Sequence, residues 1–95
     1  MELGQECIIM KSDTRELIGK NGFVVAVIEW NEFSEKRVDS YIISSYTGEN
    51  LGTYVYDDLI AEITTVRNKD IELAISLTKD QSLKRDLEKL YKELS

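Results

Sequence analysis

Residues 17–30 read Leu-Ile-Gly-Lys-Asn-Gly-Phe-Val-Val-Ala-Val-Ile-Glu-Trp, and two incompatible structures can be drawn through them. In one, Gly19–Gly22 forms a loop between two helices. In the other it is a bend that feeds a β-strand. Val24, Val25, Val27 and Ile28 favour the strand, because branching at Cβ restricts χ1 in a helix and packs well on a pleated surface. Strict alternation then puts Val24, Ala26 and Ile28 on one face and Phe23, Val25 and Val27 on the other. Both faces are apolar. An uncharged strand that is greasy on each side is prone to aggregate when bare, so the second face requires a cover.

The C-terminus supplies one. Leu83, Leu87, Leu90 and Leu94 recur at intervals of four, three and four, a single stripe on a helix. Each contributes about 1.5–3 kcal/mol when fully buried, far more than a short helix gains from propensity. Thr78 and Gln81 predict a T-x-x-Q capping box, with Asp80 adding negative charge to the first turn. Residues 70–77 are predicted as a short helix capped by Asn68 or Asp70, although Ile71, Leu73, Ile75 and Leu77 also alternate as in a strand. The leucine stripe is expected to pack within its own chain. A homodimer through the same four leucines, or a separate partner, fits the same pattern.

The body reads as five short strands: Cys7–Met10, Phe23–Trp30, Val38–Tyr46, Thr53–Tyr56 and Ile60–Val66. Turns are expected at Ser12–Arg15, at the polar Asn31–Arg37, and at Thr47–Asn50, where Gly48 can take positive φ. Asp57 and Asp58 interrupt the apolar pattern and predict one helical turn before the fifth strand. The expected fold is therefore mainly β with C-terminal α. A β-body over 1–66 and a helical extension over 67–95 should form one compact unit.

Two family resemblances compete over the opening stretch. Ile18-Gly19-Lys20-Asn21-Gly22, followed by Val25 and Ile28, resembles the KH signature, whose loop clamps a single nucleic-acid strand. That resemblance implies a nucleic-acid site at Gly19, Lys20, Asn21 and Gly22. The same glycines with Val24 resemble the opening of the second strand in a KOW-type SH3-like barrel. This second resemblance covers most of residues 4–66, including the five strands, Gly48 and the Asp57-Asp58-Leu59 turn, and it implies a five-stranded barrel. Ribosomal and transcriptional KOW proteins make nucleic acid the alternative partner here too. The tail from Ile71 is similar to the IDEAL module, matching at Ile71, Glu72, Ala74 and Ile75 and departing at Lys79 and Leu83. That similarity implies protein contact.

Charge argues against nucleic acid. The 95 residues, enough for one domain, carry 18 acids and 12 bases for a net −6. Up to Thr64 there are 12 acids and 5 bases, net −7; from Thr65 onward there are 6 acids and 7 bases, net +1. A phosphate backbone is a poor partner for such a body unless Lys11, Arg15, Lys20, Lys36 and Arg37 converge. A lone cysteine, no basic leader in the opening residues and no long apolar run predict a cytoplasmic, non-membrane protein.

No catalytic constellation is visible. The chain has no histidine, the commonest proton carrier near neutral pH, so the usual serine and cysteine triads are excluded. Cys7 beside Glu6 reads as a core residue, since a neighbouring carboxylate disfavours the thiolate. Asp57 and Asp58 are adjacent carboxylates whose expected role is to cap the helical turn; a metal or glycosidase site would need further acids such as Glu29 and Glu62. Gly19–Gly22 lacks P-loop spacing. Neither metal nor cofactor is expected. The aromatics carry the remaining signal: Trp30, Phe33, Tyr41, Tyr54 and Tyr56, with Asp57 and Asp58, form the expected partner-binding set. Glu29, Glu32 and Glu35 add acidity suited to a basic protein surface, and alternation predicts that Tyr54 and Tyr56 share a face. The function expected is a small acidic protein-interaction module, such as a phage or mobile-element accessory or inhibitor protein.

Overall fold

A computed structural model describes residues 1–95. Strands β1 (Gln5–Ile9), β2 (Asn21–Glu32), β3 (Glu35–Ser44), β4 (Asn50–Tyr54) and β5 (Leu59–Thr65) form one antiparallel sheet in the order β4-β3-β2-β1-β5. Short 3-10 turns at Arg15–Leu17 and Tyr56–Asp58 precede β2 and β5. Helices α1 (Asn68–Leu77) and α2 (Gln81–Leu94) follow. The chain is mainly β with C-terminal α, and Gly22 opens a strand where a KH loop would start a helix.

Two apolar clusters sandwich the middle of the sheet. One holds Cys7, Ile9, Val24, Tyr41, Ile43, Leu51, Tyr54 and Leu59. The other joins Phe23, Val25 and Val66 to Ile71 and Ala74 of α1 and to Leu83, Leu87 and Leu90 of α2. Phe23, Leu83 and Leu87 are wholly buried, so the leucine stripe is spent within its own chain. Tyr46 joins this cluster, its ring 5.6 Å from that of Phe23. Two glycines fit tight approaches. A Cβ on Gly22 would lie 2.5 Å from the Ser44 carbonyl oxygen, and one on Gly48 (φ +79°) would lie 2.5 Å from that of Ala74, at the end of α1.

The simple alternation of β2 is broken. Val24 pairs with Ile43 but Ala26 pairs with Ile42, leaving Val25 as an extra residue. This β-bulge flips the phase of every later side chain. Val24 and Val27 therefore pack on the first cluster, while Phe23, Val25 and Ala26 pack under the helices. The helical roof covers Phe23 and Val25 as expected, but not Val27. A second irregularity restores the register: Ile28 pairs with Ser40 and Glu29 with Val38, leaving Asp39 extra on β3.

Three local expectations need correction. Asn31–Arg37 is not a seven-residue turn; both strands run through it and close at Phe33-Ser34. Helix α2 is capped by Asp80, whose carboxylate accepts from the Leu83 N–H at 3.0 Å, whereas Thr78 Oγ1 accepts from Asp80 N. Aspartate at this position satisfies an orphan amide and offsets the helix dipole at once. Helix α1 has Arg67 at its N-cap with no side-chain cap bond; Asp70 instead pairs with the Arg67 guanidinium at 3.4 Å.

Candidate functional site

Beyond Asp39 the β2–β3 hairpin leaves the body as a two-stranded ribbon. Glu29–Glu32 pairs with Glu35–Val38, about 13 Å of strand at ~3.3 Å per residue. Every residue from Ile28 to Asp39 is exposed. Alternation from Ala26 carries Ile28 and Trp30 onward along the helix side of the sheet, beyond the point where the helices cover it. Trp30 sits opposite Arg37 and is 43% exposed. Arg37 also meets Glu35 at 3.6 Å, an open ion pair of little energetic weight. With Glu29, Glu32, Glu35 and Asp39 against Lys36 and Arg37, four acids and two bases, the ribbon carries net −2.

The tip is the unusual part. Phe33 and Ser34 have φ of +52° and +69°, the backbone of a two-residue I′ hairpin turn, which Asn-Gly adopts readily. A bulky residue there costs about 1–2 kcal/mol. The Phe33 ring recovers nothing within the chain, since it is 92% exposed. The turn thus holds an aromatic ring outward at a cost in stability, which is how strained backbone is commonly found at contact sites.

The structure divides the expected partner-binding set. Trp30 and Phe33 share the ribbon. Tyr41 and Tyr54 pair across β3 and β4 and are core residues, so they leave the surface set. The Tyr41 hydroxyl accepts from the Met1 amino group at 3.0 Å; the Tyr54 hydroxyl donates to the Leu51 carbonyl and lies 3.2 Å from Ser12 Oγ. Tyr56 does not share a face with Tyr54: it starts the 3-10 turn and is exposed. Asp57 and Asp58 lie inside that turn, and neither caps it, because Val55 occupies the cap with no side-chain bond. No third ligand converges with them. The Asp58 carbonyl accepts from the N–H groups of Met10 and Lys11, which ties this turn to the end of the sheet opposite the ribbon. The aromatic and acidic residues therefore form two groups at the two ends of β2.

The basic residues are split the same way. Lys11, Arg15 and Lys20 surround the β1–β2 connection, whereas Lys36 and Arg37 lie on the ribbon. Asn21 and Asn31, which mark the two places along β2, are separated by roughly 33 Å of strand contour. The amides of the Gly-x-x-Gly bend are also engaged: Gly19 N donates to the Ile9 carbonyl at 2.7 Å and Lys20 N to that of Leu17 at 3.1 Å. Neither is free to grip a phosphate.

Cys7 is buried among apolar neighbours, and burial, then Glu62 and Glu6, pushes its thiol up to about 11. It is an inert core thiol at neutral pH. Burial also raises the Tyr46 phenol, helped by its hydrogen bond to the Glu6 carboxylate.

The ribbon was hidden in the sequence, because Phe-Ser is not a hairpin dipeptide and its flanks read as a polar loop. No helix is long and apolar enough to cross a membrane. No family model matches this chain, nor does any curated protein or solved structure.

Proposed function

We propose that this chain is a non-enzymatic protein-interaction module that grips a partner with a basic surface through its β2–β3 ribbon. The observation that carries the reading is Phe33: a wholly presented aromatic ring on a turn whose backbone disfavours it. Aromatic anchors surrounded by polar residues dominate the energetics of protein interfaces. Trp30 lies three residues away on the same ribbon, and the net negative charge there suits a cationic patch.

The finer fold belongs to the same proposal. An SH3-like barrel of KOW type, roofed by helices, is supported by the strand order, by the 3-10 turn ahead of β5 and by the bend at Gly19–Gly22. A cytoplasmic accessory or inhibitor protein of a phage or mobile element is the setting that size and acidity suggest. Fold alone does not select the partner.

The test is affinity capture from a bacterial lysate on immobilised wild type and on a Trp30→Ser, Phe33→Ser double variant, at low and high salt. A protein held by the wild type at low salt and lost by the variant supports the proposal. Retention of nothing, or of the same proteins by both, overturns it.

A further inference from the structure

A groove of about 340 Å³ lies between β2 and α2. Its floor is apolar, made by Leu3, Val25, Ala26 and Leu90; it wraps the free edge of β2 to reach Val27 and Glu29, which alternation puts on the sheet's other face, and Asp86, Lys89 and Glu93 stand on the helix side. The volume is at the small end for a binding site, enough for a short stretch of peptide. Glu29 belongs to both groove and ribbon, so the two surfaces are continuous.

Two features of the walls identify the occupant. The first is an open strand edge. β1 pairs with β2 only at Asn21–Phe23, and Gly4 N donates to the Val24 carbonyl. From Val25 onward, the side of β2 away from β3 has no strand neighbour. Such an edge presents backbone donors and acceptors that an extended segment can pair with. The second feature is charge. Three carboxylates face one lysine, and none of the three is ion-paired, the two ion pairs of the molecule being Arg37–Glu35 and Arg67–Asp70. Burial already lifts the Asp86 carboxyl above its ordinary value against the pull of Lys89, so a further cation would relieve it.

We infer that the groove seats an extended, arginine-bearing segment of a partner protein, paired along the open edge of β2 with its guanidinium among Glu29, Asp86 and Glu93. Arginine fits better than lysine, because its aliphatic stem covers an apolar floor while its weakly hydrated fork of donors serves several carboxylate oxygens. This inference deepens the proposed function, resting on its claim that the partner is a basic protein.

The probe is the peptide acetyl-Val-Thr-Arg-Val-Thr-amide, titrated into the ¹⁵N-labelled full chain and compared with its neutral citrulline counterpart. Amide shifts should map to Val25–Glu29 and Asp86–Glu93, with slowed hydrogen exchange along the β2 edge. The citrulline peptide should bind about tenfold more weakly, as should the arginine peptide to a Glu29→Gln, Glu93→Gln variant. Ile63→Ser, at a fully exposed position on β5 outside the groove, should leave peptide binding unchanged. Equal affinity for both peptides, shifts elsewhere, or no shift at about 5 mM peptide, above the millimolar affinity of a weak site, would overturn the inference. So would light scattering that shows a dimer whose shifts map to the groove, because a second copy would then be the occupant. Peptide binding without lysate capture by the ribbon sinks the proposed function and leaves the groove standing; capture without peptide binding does the reverse.

Discussion

Both halves of β2 carry large apolar side chains and put them to opposite uses. Phe23, Val24 and Val25 are sealed between two apolar clusters, while Ile28, Trp30 and the adjoining Phe33 stand in solvent. Glu29, Asn31 and Glu32 make the outer half polar, but its large apolar side chains differ from the inner ones chiefly in whether anything lies over them. The helices reach the first half and stop short of the second. Apolar side chains under the roof hold the fold together, and those beyond it are free to meet another molecule.

That contrast can be broken most forcefully at Phe23. Phe23→Ala deletes a wholly buried ring from the helix-side cluster and should cost about 3–5 kcal/mol, a large part of the stability of a domain this size. Urea unfolding followed by far-UV circular dichroism measures it. A loss below about 1 kcal/mol would mean that the helices do not depend on this half of the strand.

The ribbon should respond with the opposite sign. Replacing Phe33-Ser34 by Asn-Gly relieves the positive-φ strain and should stabilise the hairpin by about 1–2 kcal/mol. The gain should appear as slower amide exchange from Glu29 to Val38 and a higher urea midpoint. If the turn is kept for contact, this more stable variant should also lose lysate capture. Stability and capture falling together would erase the distinction between the halves.

The smallest effect lies at the roof's far end. The Leu83 N–H, with the Asn50 side chain assisting, holds the Asp80 carboxyl below its ordinary 3.8. A carboxyl lowered in the folded state contributes stability above its unfolded value, and that contribution is lost as pH falls through the lowered one. Asp80→Ala should therefore reduce the melting temperature slightly at neutral pH and remove this part of the acid limb of the stability curve. Parallel melting curves for wild type and variant from pH 2 to 7 check the sign.

What could be read from the residues alone follows from which forces are local. The strands, Gly48 and the leucine stripe were legible, because β-branching, positive φ and a 3.6-residue period act over a few neighbours. The bulge at Val25 was not, since register is decided by β3 and by the clusters on either side. The same holds for Tyr41 and Tyr54, whose burial depends on β-pairing from a distance. At the α2 cap, Thr78 and Asp80 both offered an acceptor oxygen, and Asp80 won by lying three residues before Leu83. The candidate site was legible in composition, through Trp30, Phe33 and the nearby glutamates, but the arm that carries them was not.

The paired irregularities at Val25 and Asp39 have a consequence for how this hairpin tolerates change. Each adds one residue to a different strand, so the offset introduced by the first is cancelled by the second. Because neither Val25 nor Asp39 has a partner across the ladder, losing either one straightens its strand locally and leaves the pairs on both sides of it, Trp30 with Arg37 included, as they stand. Length variation in related chains should therefore be absorbed at these two positions singly, without any matching gap in the other strand.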